Sequence, residues 1–155
     1  MSSRAAIAVL LSFTLSLNAA CSSSYVPAQS PRVAIVMEGG SIAYVRDGVK
    51  YEGGLFGGDI EAAVRGNPRA EAHAHTYKTL VISGFVVSMA GAAGMAGGLA
   101  VMGDDAARNQ TLSTPGAVLL GSGLVAYLVG LGMIMAGPPH LYDAVNVYND
   151  SLTPP

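Results

Sequence analysis

The sequence predicts a mainly α membrane protein: an antiparallel two-helix transmembrane hairpin with a small N-terminal β-hairpin or three-strand element outside the membrane. Three observations predict it. Residues 79–103 carry no charged side chain, and residues 109–142 carry none apart from a protonatable His140. The link between these stretches, Gly103 to Ser113, is short and polar (GDDAARNQTLS). Two spans joined by it must lie antiparallel and adjacent. Upstream, Asp47-Gly48 separates two short strand-like runs, the strongest local signal for a β-hairpin.

Each span is long enough. Thr79 to Met102 (TLVISGFVVSMAGAAGMAGGLAVM) makes about 36 Å of helix, against a hydrocarbon core of about 30 Å. The second stretch, Pro115 to Ala136, has Thr114 as its expected N-cap and Pro115 in its first turn. Gly137, Pro138 and Pro139 are expected to interrupt it. Transmembrane helices are therefore placed at 79–103 and 115–137, with a loop at 104–114. A soluble helix of this length shows a polar face, and neither stretch does. Over the whole chain of 155 residues 51% are apolar and 12% charged, against about 25% charged in ordinary soluble domains.

Small residues recur along both spans. Gly84, Ser88, Ala92, Ala96 and Ala100 lie four apart, beside a parallel row of Ala90, Gly94 and Gly98. In the second span Ser122, Ala126 and Gly130 form a matching row. Such rows make flat grooves in which two backbones approach closely, and that contact matters where lipid offers no hydrophobic drive. The candidate helix-packing residues are Gly84, Ser88, Ala92, Gly94, Gly98, Ser122, Ala126 and Gly130, acting either between the two spans or between copies of the chain. The competing explanation is composition alone, since the chain has 20 glycines.

The segment before the spans reads in order. Residues 21–31 are a Ser/Pro tether without periodicity. Arg32 to Met37 reads as a strand, and Ser41–Val45 and Val49–Tyr51 flank the Asp47-Gly48 turn. A two-residue turn puts Tyr44 opposite Tyr51 and Val45 opposite Lys50. Three short strands alone are marginal, so they need a helix or a partner, and an open edge invites strand addition. Gly53 to Gly58 is glycine-rich, but a phosphate loop ends in Gly-Lys-Ser/Thr. Here Asp59 follows, and it is expected to cap a short helix from Ile60 to Arg65. Asn67 and Pro68 start the next helix, which is expected to run without a break into the first span. Leu141, Ala144, Val145 and Tyr148 share one face of a C-terminal helix, whose natural partner is the Ala70/Ala74/Tyr77 face. Tyr77 and Tyr142 are expected at headgroup level, as in aromatic belts.

The N-terminus carries a secretory pattern: Arg4, an apolar run from Ala5 to Leu17, then Asn18-Ala19-Ala20-Cys21 and three serines. This resembles the precursors of bacterial cell-envelope lipoproteins, whose lipobox ends in cysteine. Ala19, Ala20 and Cys21 match that pattern, while Asn18 occupies the usual leucine position. The resemblance implies cleavage of residues 1–20, diacylation (palmitate-type chains) of Cys21, and a lipid-anchored protein. Two acyl chains are what stable anchoring needs. An uncleaved N-terminal anchor is the alternative. Cys21 is the only cysteine, so an intramolecular disulfide or a cysteine-based metal cluster is excluded. Together with the Gly/Ala rows, Cys21 also gives a weak likeness to glycine-zipper two-span lipoproteins, which implies a structural role without enzymatic activity.

Candidate chemistry is sparse. His73 and His75 point about 200° apart on a helix and do not chelate one ion together. If the extramembrane helices pair, one of them meets His140 and Asp143 in a weak site, but no metal site and no cofactor is assigned. Ser83, Ser88 and Ser122 lack a base, and Asp104, Asp105 and Arg108 read as a solvated loop. The net charge is −2, with six basic and six acidic groups over 22–78, so no basic patch for nucleic acid exists. No catalytic residue and no small-molecule substrate is identified. The expected partners are membrane lipid and either the protein itself or another membrane protein. Two functions follow: a non-enzymatic envelope lipoprotein whose hairpin mediates self-association or membrane support, or an accessory subunit of a larger membrane assembly. For localisation, the signal exports the main extramembrane part to the periplasm. Ser22 after the cysteine implies the outer membrane by family resemblance, but helical spans favour the inner membrane. The Lys/Arg distribution (Arg65, Arg69 and Lys78 before the first span, Arg108 in the loop) opposes this orientation.

Overall fold

The computed structural model describes residues 29–38, 40–107 and 114–152. The signal-like segment, Cys21 and residues 108–113 of the link lie outside them. Three strands, β1 (Ala34–Glu38), β2 (Ser41–Arg46) and β3 (Val49–Glu52), precede a short helix α1 (Ile60–Ala63) and two long ones, α2 (Pro68–Ala107) and α3 (Thr114–Asp150). The described residues form two compact units: those up to Ala70 together with those from Val145 onward, and those between Glu71 and Ala144.

In the first unit the strands form one antiparallel sheet in the order β1-β2-β3. Asp47 (φ 53°) and Gly48 (φ 77°) both take positive φ, the requirement of a type I′ turn, whose twist matches that of the flanking strands. The register follows from that turn: Tyr44 pairs with Tyr51 and Val45 with Lys50, as expected. β1 starts two residues later than expected and ends with Glu38 opposite Ser41. The core of this unit contains Val33, Ala43, Tyr44, Ile60, Ala63, Val64, Ala70 and Val145.

Two polar side chains tie this unit together. Arg46, at the end of β2, donates to the carbonyls of Ala63 (2.7 Å) and Arg65 (3.2 Å), where α1 ends. It also donates to the hydroxyls of Tyr148 (3.2 Å) and Tyr51 (3.4 Å), and its guanidinium lies 5.4 and 5.7 Å from their ring centroids. Asn149 holds the backbone of Val33 by both ends: its Oδ1 accepts from the Val33 N–H (2.8 Å) and its Nδ2 donates to the Val33 carbonyl (3.0 Å). α1 starts at Ile60 as expected but ends at Ala63, two residues before Arg65, and Asp59, the expected cap, makes no side-chain cap bond. Asn67 does cap α2: its Oδ1 accepts from the N–H groups of Arg69 and Ala70, each at 3.1 Å.

The second unit is the antiparallel pair formed by α2 and α3. α2 is 40 residues long and runs unbroken from the Asn67 cap into the first apolar stretch, as expected. α3 corrects an expectation, because it continues through Pro138 and Pro139 for a total of 37 residues. A proline removes one hydrogen bond and presses on the carbonyl four residues earlier, but its fixed φ is helical. Both rings lie on the exposed side, and the buried neighbour Gly137 keeps the backbone against α2. Tyr77 is 8% exposed and lies inside the helix pair, whereas Tyr142 is 59% exposed.

Both helices are long and apolar enough to cross a membrane, with mean hydropathies of 1.8 and 2.1 over their most apolar windows. Only 22% and 11% of those windows is buried. A core helix of a soluble protein hides its apolar residues; here Val86, Met89, Leu99, Val118, Val125, Leu128 and Val129 are all exposed. The pair is a candidate transmembrane hairpin.

Candidate functional site

The contact between α2 and α3 is built from glycine. Within this unit the buried positions of α2 are Ala74, Tyr77, Val81, Gly84, Ser88, Gly91 and Gly98, with Met95 half-buried, so the steps alternate between three and four. On α3 Gly116, Gly123, Gly130, Gly137 and Ala144 are buried at intervals of seven. Leu120, Tyr127, Ile134 and Leu141 flank them at the same interval, half-buried or buried. A strict seven-residue seam is the pattern of a left-handed supercoil, with one residue type held at each seam position.

Opposed glycines set the register. A methyl group built on Gly84 would lie 2.6 Å from the Gly130 carbonyl oxygen. One on Gly91 would lie 2.6 Å from the Gly123 carbonyl oxygen and would strike the Tyr127 backbone. One on Gly98 would lie 2.9 Å from the Gly116 carbonyl oxygen and 2.6 Å from the Leu120 nitrogen. In each case the obstruction is backbone, which does not swing aside. Hydrogen replaces methyl at these positions because the helices touch main chain to main chain, the contact that drives helix association in lipid. Ser88 adds a long hydrogen bond to the Tyr127 carbonyl (3.5 Å).

The structure distributes the eight candidate packing residues unevenly. Gly84, Ser88, Gly98 and Gly130 are buried in the seam. Gly94 is half-buried beside it, and a methyl group there would lie 3.2 Å from Gly123 Cα. Ala92 and Ala126 are half-buried; Ser122 is exposed and bonds the Leu119 carbonyl of its own helix (3.3 Å). The reason is angular. Each step of four residues advances about 40° around a helix, so a row begun at Gly84 has turned to the far side by Ala100, which is exposed. A step of seven drifts only about 20°. Gly91, Gly116, Gly123 and Gly137 were missed for this reason, and the seven-residue glycine repeat in the sequence was the signal that finds them.

Near one end of this unit His73 of α2 faces His140 and Asp143 of α3. The two histidine Nδ1 atoms are 3.4 Å apart and the rings stack at 5.7 Å with an interplanar angle of 30°. His73 Nδ1 is 4.0 Å from Asp143 Oδ2. His75 is exposed on another side of α2.

Comparison with family models, characterised proteins and solved structures finds no match to this chain.

Proposed function

We propose that this chain is a non-enzymatic, lipid-anchored protein of the bacterial cell envelope whose glycine-seamed hairpin is embedded in the membrane and serves self-association or membrane support. One observation carries the reading: the apolar windows of α2 and α3 face outward while glycine fills the seam. Glycine inside makes a thin pair that is closed on itself, and the apolar exterior needs lipid or other membrane helices to cover it. The signal-like start and Cys21 support a lipid anchor, with the rest of the N-terminal region exported to the periplasm and the inner membrane favoured. Exposed Ala93, Ala96 and Ala100 give α2 a smooth outward surface on which a second copy packs.

Metabolic labelling with palmitate, combined with purification in mild detergent, tests this. The expected result is label on the wild type, none on Cys21→Ser, retention of both in alkali-washed membranes, and a homo-oligomer in detergent. Unlabelled wild type removes the anchor, and loss from washed membranes removes the spans. Co-purification with unrelated chains at fixed stoichiometry replaces self-association with a role as accessory subunit of a larger assembly.

A further inference from the structure

We propose that His73, His140 and Asp143 form a binding site for a divalent transition-metal ion, of the zinc, cobalt or nickel type, that staples α2 to α3. The three side chains offer ligand atoms that all lie within 4.8 Å of one another. Two imidazoles and one carboxylate are the donor set of borderline ions of this class, not of calcium or magnesium, which take oxygen ligands.

The distances agree with the chemistry. Nitrogens bound to zinc at about 2.0–2.1 Å in a tetrahedron lie about 3.3–3.4 Å apart. The Nδ1 atoms of His73 and His140 are already 3.4 Å apart. Their separation therefore already matches that of two nitrogens bound to one ion. Asp143 Oδ2 lies 4.0 Å from His73 Nδ1, and the three ligand atoms lie within 4.8 Å of one another, so the carboxylate has to swing inward, which a side chain that is 56% exposed allows.

The backbone also fixes this arrangement. His140 and Asp143 are three apart on α3 and so lie on one helical face. They are followed by buried Ala144 and preceded by the Gly137 contact, so the seam sets the spacing of the two helices beside them. His73 precedes the buried Ala74 on α2 and is itself only half-buried, with 33% side-chain exposure. An ion entering from solvent meets three protein ligands and keeps a fourth position for water, the open form of a zinc site. Without an ion, one Nδ1 donates to the other, and the pair is held by a single long hydrogen bond. With an ion, both Nδ1 atoms are unprotonated and donate their lone pairs to the metal, and the link between helices becomes coordinate. The site lies within the second unit and does not depend on lipidation of Cys21 or on the orientation of the hairpin.

The test uses the full chain in detergent, purified without a polyhistidine tag, with zinc or cobalt as the probe in calorimetry and visible spectroscopy. One ion per chain is expected, with cobalt giving the intense bands of four-coordinate nitrogen/oxygen ligation. Removing only a hydrogen-bond partner of a metal ligand costs about 10–100-fold in affinity, so His73→Gln or His140→Gln is expected to weaken binding at least about tenfold. Asp143→Asn is expected to weaken it less, and His75→Gln not at all. Hydrogen exchange over residues 71–75 and 138–144 should slow on adding zinc to the wild type and not to His73→Gln. This second readout needs only that the variant keeps its helical circular dichroism. Absence of stoichiometric binding by the wild type overturns the proposal, as does unchanged binding when His73→Gln and His140→Gln are combined.

Discussion

Gly91 and Gly123 meet backbone to backbone. A methyl group on Gly91 would lie 2.6 Å from the Gly123 carbonyl oxygen, and one on Gly123 would lie 2.8 Å from the Gly91 carbonyl oxygen. Neither helix has room for a side chain at this crossing, and the obstacle on each side is main chain.

Substituting either residue is therefore expected to force the helices apart. Overpacking a tight interior costs about 1–3 kcal/mol, and the rigid backbone here puts Gly91→Leu and Gly123→Leu at the upper end or beyond. Gly121→Leu and Gly132→Leu, at exposed positions where an added Cβ meets open space, are the matched controls on α3. Thermal unfolding in detergent, followed by helical circular dichroism, should lower the midpoint for the first pair only. Equal midpoints for all four would mean that the seam contributes no packing energy.

Much of this architecture was legible because it rests on local chemistry. Asp47-Gly48 determined both the turn type and the Tyr44–Tyr51 register, since a two-residue I′ turn leaves one pairing. Asn67 and Pro68 marked the start of α2 through the cap itself. The seam was only half legible. Rows of four and repeats of seven coincide over one or two turns, as at Gly84 and Ser88, and then diverge, so Ala96 and Ala100 turn outward while Gly91 turns in. The passage of α3 through Pro138 and Pro139 was not legible, because proline alone favours a stop, whereas buried Gly137, Leu141 and Ala144 on either side of the pair are set by packing between distant segments. Nor was the role of Asn149, whose partner Val33 lies 116 residues away.

Asn149→Ala removes both bonds to Val33 and leaves a buried backbone without them. Val33 is 3% exposed, so water does not readily replace the lost partner. A net cost of about 1–3 kcal/mol is expected. Asn149→Asp is expected to be at least as damaging, because a carboxylate oxygen would then face the Val33 carbonyl where Nδ2 now donates. Amide exchange at Val33 is the direct readout: it should quicken in both variants, and an unchanged rate would show that the two bonds do not hold the residue that precedes β1.

Arg46→Lys keeps the charge and loses the fork. Lysine has one compact ammonium group and does not reach the Ala63 and Arg65 carbonyls while lying over two tyrosine rings. Loss of hydrogen bonds from a charged donor costs about 1.5–3 kcal/mol, to be discounted here because Arg46 is only half-buried. The effect should be local. Hydrogen exchange should quicken across residues 60–65 and leave residues 84–98 as in the wild type. Protection lost equally in both segments would mean that Arg46 supports the fold as a whole and not the end of α1.

The orientation of the hairpin can be read chemically at two exposed aspartates, Asp104 near the end of α2 and Asp150 at the end of α3. Two forces oppose each other here. On the proposed reading, the secretory pattern with Arg4 would commit the following segment to export, placing the link between the spans in the cytoplasm and the C-terminus in the periplasm. The positive-inside bias points the other way, because Arg65, Arg69 and Lys78 precede the first span and Arg108 alone lies in the link. The signal acts before the spans emerge, and a difference of three positive charges to one is small. Export is therefore expected to prevail. In a Cys21→Ser background the introduced cysteine is the only thiol. Asp150→Cys in intact cells should react with a membrane-impermeant maleimide and Asp104→Cys should not, while both should react after the inner membrane is opened. The reverse pattern would establish that the charge bias controls insertion and would place the sheet-containing region in the cytoplasm. Labelling at both sites in intact cells would show that the two helices do not cross the inner membrane.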